Sequence, residues 1–153
     1  MIDEPSQTLQ LPALTVADLG AIRAFVARGL EFVDCGSATD AFVLAVDEVC
    51  ANLAEHSSGD GQTGPVCISV RRTGLDAIIV VEDSGRPFHP ASAPAPDLVT
   101  EWPDRRVGGL GWFFVRQMVD DINYETVPTP RGPINRLTLT KHGARRAPHI
   151  ASD

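Results

Sequence analysis

Hydrophobic residues in the first third of the chain recur every three or four positions, which is the spacing that buries one face of an α-helix. Two such stripes flank the polar stretch DCGSATD, and Thr15 followed by Asp18 is typical of a helix N-terminus. The pattern predicts two helices, with inward faces formed by Leu19, Ile22, Val26, Leu30 and Val33 in the first and by Phe42, Ala45, Val46, Val49 and Leu53 in the second.

The remaining apolar stretches are short, and they alternate with polar residues or run continuously, as β-strands do. QTLQLPAL precedes the first helix, PVCISVRR and LDAIIVVED follow the second, and INYETV and INRLTLTK are predicted to form a closing hairpin. GGLG opens a third predicted helix. Its inward face would consist of Phe114, Val115, Met118 and Ile122.

A segment from Arg86 to Val107 has no apolar period and contains five prolines, so it is predicted to be a long loop or a lid. The elements around it predict an α/β (α+β) two-layer sandwich, with helices beside a sheet. With 153 residues, of which 43% are hydrophobic, the chain is long enough to bury one core. We therefore expect a single domain over residues 1–141 and a flexible tail over residues 142–153.

Composition narrows the classes of function. The net charge of -7 argues against a protein that binds nucleic-acid backbones, because such proteins need Lys and Arg to neutralise phosphates. The three cysteines show no C-x-x-C spacing, so we expect buried reduced thiols and not a disulfide or metal framework. The longest apolar run, from Ala77 to Val81, cannot span a bilayer, and the first residues do not resemble an export signal. These features predict a soluble cytoplasmic protein with no membrane contact.

Polar residues interrupt the second predicted helix along one line. Glu48, Asn52 and His56 lie four positions apart in AVDEVCANLAEHS and border its apolar stripe. A carboxylate, an amide and an imidazole in this arrangement would suit a ligand site. They are also compatible with a solvated charge, a water-bonded amide and a histidine near the C-terminal dipole, which is the preferred interpretation of this stretch taken alone.

The stretch VVEDSGRPFHP places Asp83 at the end of an apolar strand and Gly85 two residues later. The carboxylate can accept a hydrogen bond, for which the exocyclic amine of adenine is suited. The missing Cβ of Gly85 would let a flat ligand approach the backbone. An ordinary strand-to-loop turn uses the same residue types.

Gly108, Gly109 and Gly111 lead directly into the third predicted helix. Backbone N–H groups and the positive end of a helix dipole suit phosphate oxygens. The pattern is neither G-x-G-x-x-G nor a P-loop, and a simple hinge is the alternative.

The order of these motifs is more specific than any one of them. E-x-x-x-N on a helix, D-x-G after a strand, a proline-rich lid and G-G-x-G at a helix start together resemble the Bergerat-fold ATPases, the superfamily of gyrase, histidine kinases and mismatch-repair proteins. Within it, DEVCANLAEHS, EDSGRPFHP and GGLGWFFVRQMVDDINYE are most similar to the anti-sigma-factor serine kinases of the RsbW type. The resemblance extends from about Thr8 to Lys141. It implies a mixed, mainly antiparallel sheet covered on one face by helices.

The resemblance also implies a role for each matching residue. Glu48 corresponds to the general base and Asn52 to the Mg²⁺ ligand, for which an amide oxygen is chemically suited. Asp83 would bind adenine, and Gly85 would give access to the base. The matches on the phosphate side are Gly108, Gly109 and Gly111. Within the lid over residues 90–107, Arg105 or Arg106 would contact the terminal phosphate, although the two arginines are equally compatible with a solvated basic pair.

One residue departs from the superfamily pattern. Pro87 stands where many members carry the second glycine of D-x-G-x-G, and because proline fixes φ and lacks an N–H, we expect a stiffer start of the lid. No histidine precedes His56, so autophosphorylation on an upstream histidine is not expected. A transferred phosphate should instead go to a hydroxyl of a partner.

The partners follow from the resemblance alone. It implies ATP and Mg²⁺ as cofactors, a STAS-domain anti-sigma-factor antagonist as the phosphorylated substrate, a sigma factor as the sequestered partner, and a homodimer. The alternative is a nucleotide-binding module that sequesters a protein without phosphoryl transfer, since such a module needs Asp83 and the glycines but no base.

Overall fold

A computed structural model describes residues 4–56, 63–85, 87 and 107–145 of the chain. Three helices and five strands cover most of these residues. In chain order they are β1 (Ser6–Leu11), α1 (Leu19–Phe32), α2 (Thr39–His56), β2 (Val66–Thr73), β3 (Asp76–Asp83), α3 (Val107–Met118), β4 (Asp121–Val127) and β5 (Ile134–Lys141). Every helix and strand predicted from the pattern is present, with boundaries that differ by a few residues.

The described strands form one five-stranded sheet in the order β1-β2-β3-β5-β4. Each of its four pairings is antiparallel, so the mixed sheet that the resemblance implied is entirely antiparallel over the described residues. The predicted hairpin is confirmed by the pairing of β4 with β5. Strand β3 lies at the centre of the sheet, which explains its continuous apolar sequence.

The two faces of the sheet differ in polarity. One face carries the apolar residues that pack under the helices, including Ile68, Ile79 and Leu139, which are fully buried. The opposite face is a shallow polar groove lined by residues such as Ser69, Arg71 and Thr138. The structure is therefore a two-layer α+β sandwich, as predicted.

Helices α1 and α2 present the faces that the periodicity predicted. Ile22, Val26 and Leu30 of α1 are buried, as are Phe42 and Val46 of α2. Before α1, the carboxylate of Asp18 accepts the backbone N–H of Thr15 at 2.9 Å. This confirms the helix-start signal, although Thr15 caps a short 3-10 turn over Val16–Asp18 that leads directly into α1. Helix α2 contacts both α1 and α3 and thus lies between them.

The inward face of α3 was predicted wrongly in part. Phe114 is 45% exposed and Ile122 belongs to β4, whereas Trp112 and Val115 are buried together with Val119, which directly follows the helix. The contiguous apolar run WFFV allows two registers of a helical stripe, and the packing of α3 in the fold selects the one that begins at Trp112.

The first four residues after β5 are attached to the rest of the protein. The Ala144 carbonyl accepts a hydrogen bond from Ser37 Oγ at 2.6 Å, and the N–H of Arg145 donates to the Leu75 carbonyl at 3.0 Å. The predicted tail begins at residue 142, and its residues 146–153 lie outside the described part. Within the described residues, no helix combines the length and apolar character that a membrane crossing needs.

Candidate functional site

Asp83 ends the central strand β3 and is only 7% exposed. Its Oδ2 accepts the backbone N–H of Gly85 at 2.9 Å and an N–H of the Asn135 side chain at 3.3 Å. Burial raises the pKa of this carboxyl, and the two hydrogen bonds act in the opposite direction. No described residue donates a hydrogen bond to Oδ1.

Asn135 is the residue at this site that the sequence did not reveal as functional. It lies on β5 directly opposite Asp83 and is 3% exposed. Besides its bond to Asp83, its Nδ2 donates to the Gly85 carbonyl at 3.0 Å, while its Oδ1 accepts from Thr126 Oγ1 at 3.3 Å. The available signal is its position in the strand, because Asn135 is in phase with the buried residues Leu137 and Leu139 of INRLTLTK and so lies on the same face of β5.

Glu48 lies on α2 against α3, where it contacts Gly111. Burial raises the pKa of the Glu48 carboxyl, and the negative charges of Asp47 and Glu55 raise it further. No described residue donates a hydrogen bond to it. A partly buried carboxylate with a raised pKa and no hydrogen-bond donor among the described residues has the properties of a general base.

Asn52 lies one turn after Glu48 on α2, on the same side of the helix, and is partly buried. Gly108 and Gly109 lie in the first turn of α3, where backbone N–H groups lack intrahelical partners. No group of three or more metal-binding side chains occurs among the described residues.

Contacts toward both of its ends attach α3 to the rest of the protein. Lys141, the last residue of β5, donates to the Met118 carbonyl at the C-terminus of α3. Gly111, in the first half of the helix, contacts Glu48 of α2. Among the described residues, no hydrogen bond joins Glu48 or Gly111 to Asp83.

Several predicted site residues lie outside the described part of the chain. These are Arg105, Arg106 and the lid up to residue 106, whereas Val107, predicted as its last residue, is the first residue of α3. His56 is the last residue of α2, and its side chain is not described. Pro87 is exposed.

A family model described as the histidine kinase-like ATPase domain matches residues 12–141. No curated protein matches the chain. The matched region contains both Asp83 with its partner Asn135 and Glu48 with its contact Gly111. Because the match covers well over half of the sequence, this chain belongs to the family of histidine kinase-like ATPase domains.

Proposed function

We propose that this protein is a Mg-ATP-dependent serine/threonine kinase of the anti-sigma-factor type. It phosphorylates a hydroxyl of a STAS-domain anti-sigma-factor antagonist and, when not antagonised, sequesters a sigma factor. The observation that carries the kinase assignment is Glu48, a partly buried carboxylate with a raised pKa that lies against α3 and accepts no hydrogen bond from a described residue. The partners and a homodimeric assembly rest on the resemblance to the RsbW type.

The adenine end of the site is formed by Asp83. Oδ1 accepts a hydrogen bond from the exocyclic amine of adenine, because both donors from Gly85 and Asn135 already occupy Oδ2. Gly85 has no side chain to block the approach of a flat base. The buried carboxylate would otherwise lose hydration without compensation, and a ligand that donates to Oδ1 offsets this cost.

The phosphate end is formed by α2 and the start of α3. The unpaired N–H groups of the first turn, which includes Gly108 and Gly109, bind phosphate oxygens. Asn52 supplies an amide oxygen for Mg²⁺, and the cation when bound neutralises charge on the β- and γ-phosphates. Arg105 of the lid is proposed to contact the terminal phosphate.

Glu48 performs the acid–base step. Its carboxylate takes the proton of the antagonist's hydroxyl while the hydroxyl oxygen attacks the γ-phosphorus. The bond between the γ-phosphorus and the bridging oxygen breaks, and ADP leaves with that oxygen. The products are a phosphoserine or phosphothreonine, ADP and a protonated Glu48.

The test is transfer of label from γ-labelled ATP with Mg²⁺ to each STAS-domain protein encoded in the same genome. Label on a serine or threonine that is lost in the Glu48→Gln variant supports the kinase. ATP binding without label on any of them contradicts the kinase and supports the sequestering module.

Nucleotide binding is tested separately with Asp83→Asn, which keeps the shape of the side chain and removes the anionic acceptor. We expect a loss of about 1–3 kcal/mol in ATP binding free energy, measured by calorimetry. The matched control is Glu82→Gln, which changes the neighbouring residue on the opposite, polar face of the sheet. Equal affinities in wild type and Asp83→Asn would contradict the assignment of Asp83.

A further inference from the structure

Gly111 lies where α3 contacts α2, and only the absence of its side chain permits this contact. A Cβ at Gly111 would lie 3.2 Å from Cδ of Glu48 and would overlap Oε2 of the same carboxylate. The three heavy atoms nearest to that Cβ all belong to Glu48. The missing side chain therefore leaves a space, the Gly111 notch, that the Glu48 carboxylate fills.

The position of Gly111 within α3 argues against direct phosphate binding by its N–H. It is the fifth residue of a helix that begins at Val107, and only the first four N–H groups of a helix lack an intrahelical acceptor. Gly108 and Gly109 are within that first turn, whereas the N–H of Gly111 is directed to the carbonyl one turn earlier. The three glycines of this motif thus fall into two groups.

Glycine is unfavourable at such a position for the helix itself. In a helix interior only proline is less favourable than glycine, so an interior glycine that serves no purpose would be disfavoured. The close approach of Glu48 supplies a reason, because every other residue carries the Cβ that would displace the carboxylate.

We propose that Gly111 is a positioning residue for Glu48, which holds the carboxylate against α3 through the Gly111 notch and does not itself bind phosphate. The space it leaves fixes where the carboxylate lies and shields part of it from water. The effect on phosphoryl transfer rests on the proposed function, whereas the effect on the position of Glu48 does not.

The notch is tested first by thermal unfolding of Gly111→Ala in three backgrounds. We expect the change in Tm to be less favourable when residue 48 is Glu or Gln than when it is Ala, since both longer side chains must move away from the added methyl group. In the Glu48→Ala background we expect no decrease or an increase, because the nearest atoms are removed and alanine favours a helix. The same decrease in all three backgrounds would overturn the proposal.

The matched control is Gly20→Ala in α1. There the nearest atom to an added Cβ is Arg23 Nη2 at 3.6 Å, an ordinary contact, so the Tm change should not depend on residue 48. If Gly111→Ala alone does not fold, the double variant with Glu48→Ala should still fold. An unfolded double variant would count against the notch.

A second experiment separates positioning from phosphate binding. In Gly111→Ala we expect kcat for phosphoryl transfer to fall at least tenfold while the Kd for ATP stays within twofold. The pKa of Glu48, followed by carbon-detected NMR, should move down toward the ordinary glutamate range as the carboxylate leaves the notch. A tenfold weaker ATP affinity with an unchanged Glu48 titration would show that Gly111 contacts nucleotide instead.

The two proposals fail in distinguishable ways. If the wild-type protein transfers no phosphate, the proposed function is wrong, but the Tm cycle and the Glu48 titration still decide whether the notch positions this carboxylate. If transfer occurs and the Tm cycle shows no dependence on residue 48, the kinase stands and the notch does not.

Discussion

Asn135 on β5 lies opposite Asp83 on β3, and its side chain bridges the Asp83 carboxylate and the Gly85 carbonyl with bonds of 3.3 and 3.0 Å. Since the N–H of Gly85 donates to the same carboxylate oxygen, Oδ2 accepts two hydrogen bonds. A protonated Oδ2 would lose acceptor capacity for them. The two hydrogen bonds therefore favour the ionised form of Asp83, in opposition to the burial that raises its pKa.

Asn135→Ala should destabilise the protein and weaken nucleotide binding. The substitution leaves the Gly85 carbonyl without this donor and removes one bond to a buried carboxylate, for which a loss of about 1–3 kcal/mol in the free energy of unfolding is expected. It should also raise the pKa of Asp83 further, since one hydrogen bond to the charged form is lost. Urea unfolding measures the first effect and calorimetry with ATP the second.

Asn123→Ala is the matched control, because Asn123 is an exposed asparagine on the neighbouring strand β4. A change within about 0.5 kcal/mol is typical of such surface positions. If both alanine variants lose the same stability, the network around Asp83 contributes nothing specific.

Residues that act within one element were predictable from the sequence. The stripes of α1 and α2 follow from helical periodicity, and the position of Asp83 at a strand end follows from the boundary of LDAIIVVED. Asn135 was missed because its partner is 52 residues away and is selected by strand register. The contact between Glu48 and Gly111 was likewise out of reach, since it depends on how two helices pack. Local patterns encode faces and ends, whereas contacts between distant elements require the fold.

Glu48→Gln should stabilise the protein at neutral pH while it abolishes phosphoryl transfer. The folded state raises the pKa of Glu48, chiefly through burial, so the folded protein binds this proton more tightly than the unfolded chain does. The stability that the protonated Glu48 contributes is then fully present below the unfolded pKa and is lost as pH rises through the folded pKa. Because the group is partly solvated, the gain in the variant should stay below about 1 kcal/mol.

Urea unfolding at several pH values measures this effect. The control is Glu31→Gln, which removes the same charge from an exposed site on α1. The rate of phosphoryl transfer should fall as pH decreases, because protonation inactivates the base. Since the pKa of Glu48 is raised, this fall should begin at a higher pH than it would for an ordinary glutamate. If Glu48→Gln is less stable than wild type at neutral pH, the result would contradict a raised pKa for Glu48.

His142 lies at the end of the sheet away from Asp83 and should make the stability of the protein depend on pH. Its Nδ1 lies 3.0 Å from Asp76 and its Nε2 2.7 Å from Asp121, and hydrogen bonds to these carboxylates raise its pKa. With a folded pKa above the unfolded value, the stabilisation is present below the unfolded pKa and is lost as pH rises through the folded pKa.

The measurement is the Tm of wild type and His142→Ala from about pH 5 to about pH 9, around the usual histidine range. The difference between the two proteins should be largest at the acidic end and should shrink as pH rises. A difference that is constant over this range would mean that the ring contributes by packing and not by its charge. High salt should reduce the acidic-end difference, because the three groups are at the surface.

Gly29→Ala should destabilise the packing of α1 on the sheet. A Cβ at Gly29 would lie 3.1 Å from both Cβ and Cγ2 of Val70 on β2, which is closer than ordinary van der Waals contact, and both residues are buried. Overpacking of this kind costs about 1–3 kcal/mol. In the same helix, Gly20→Ala meets no such contact and should stabilise by up to about 1 kcal/mol through helix propensity. Urea unfolding of both variants gives the comparison.

A double variant tests the contact itself. Val70→Ala should cost less stability in the Gly29→Ala background than it does alone, because the added methyl group fills part of the space that the valine leaves. Strictly additive losses would mean that α1 shifts as a whole to avoid Val70.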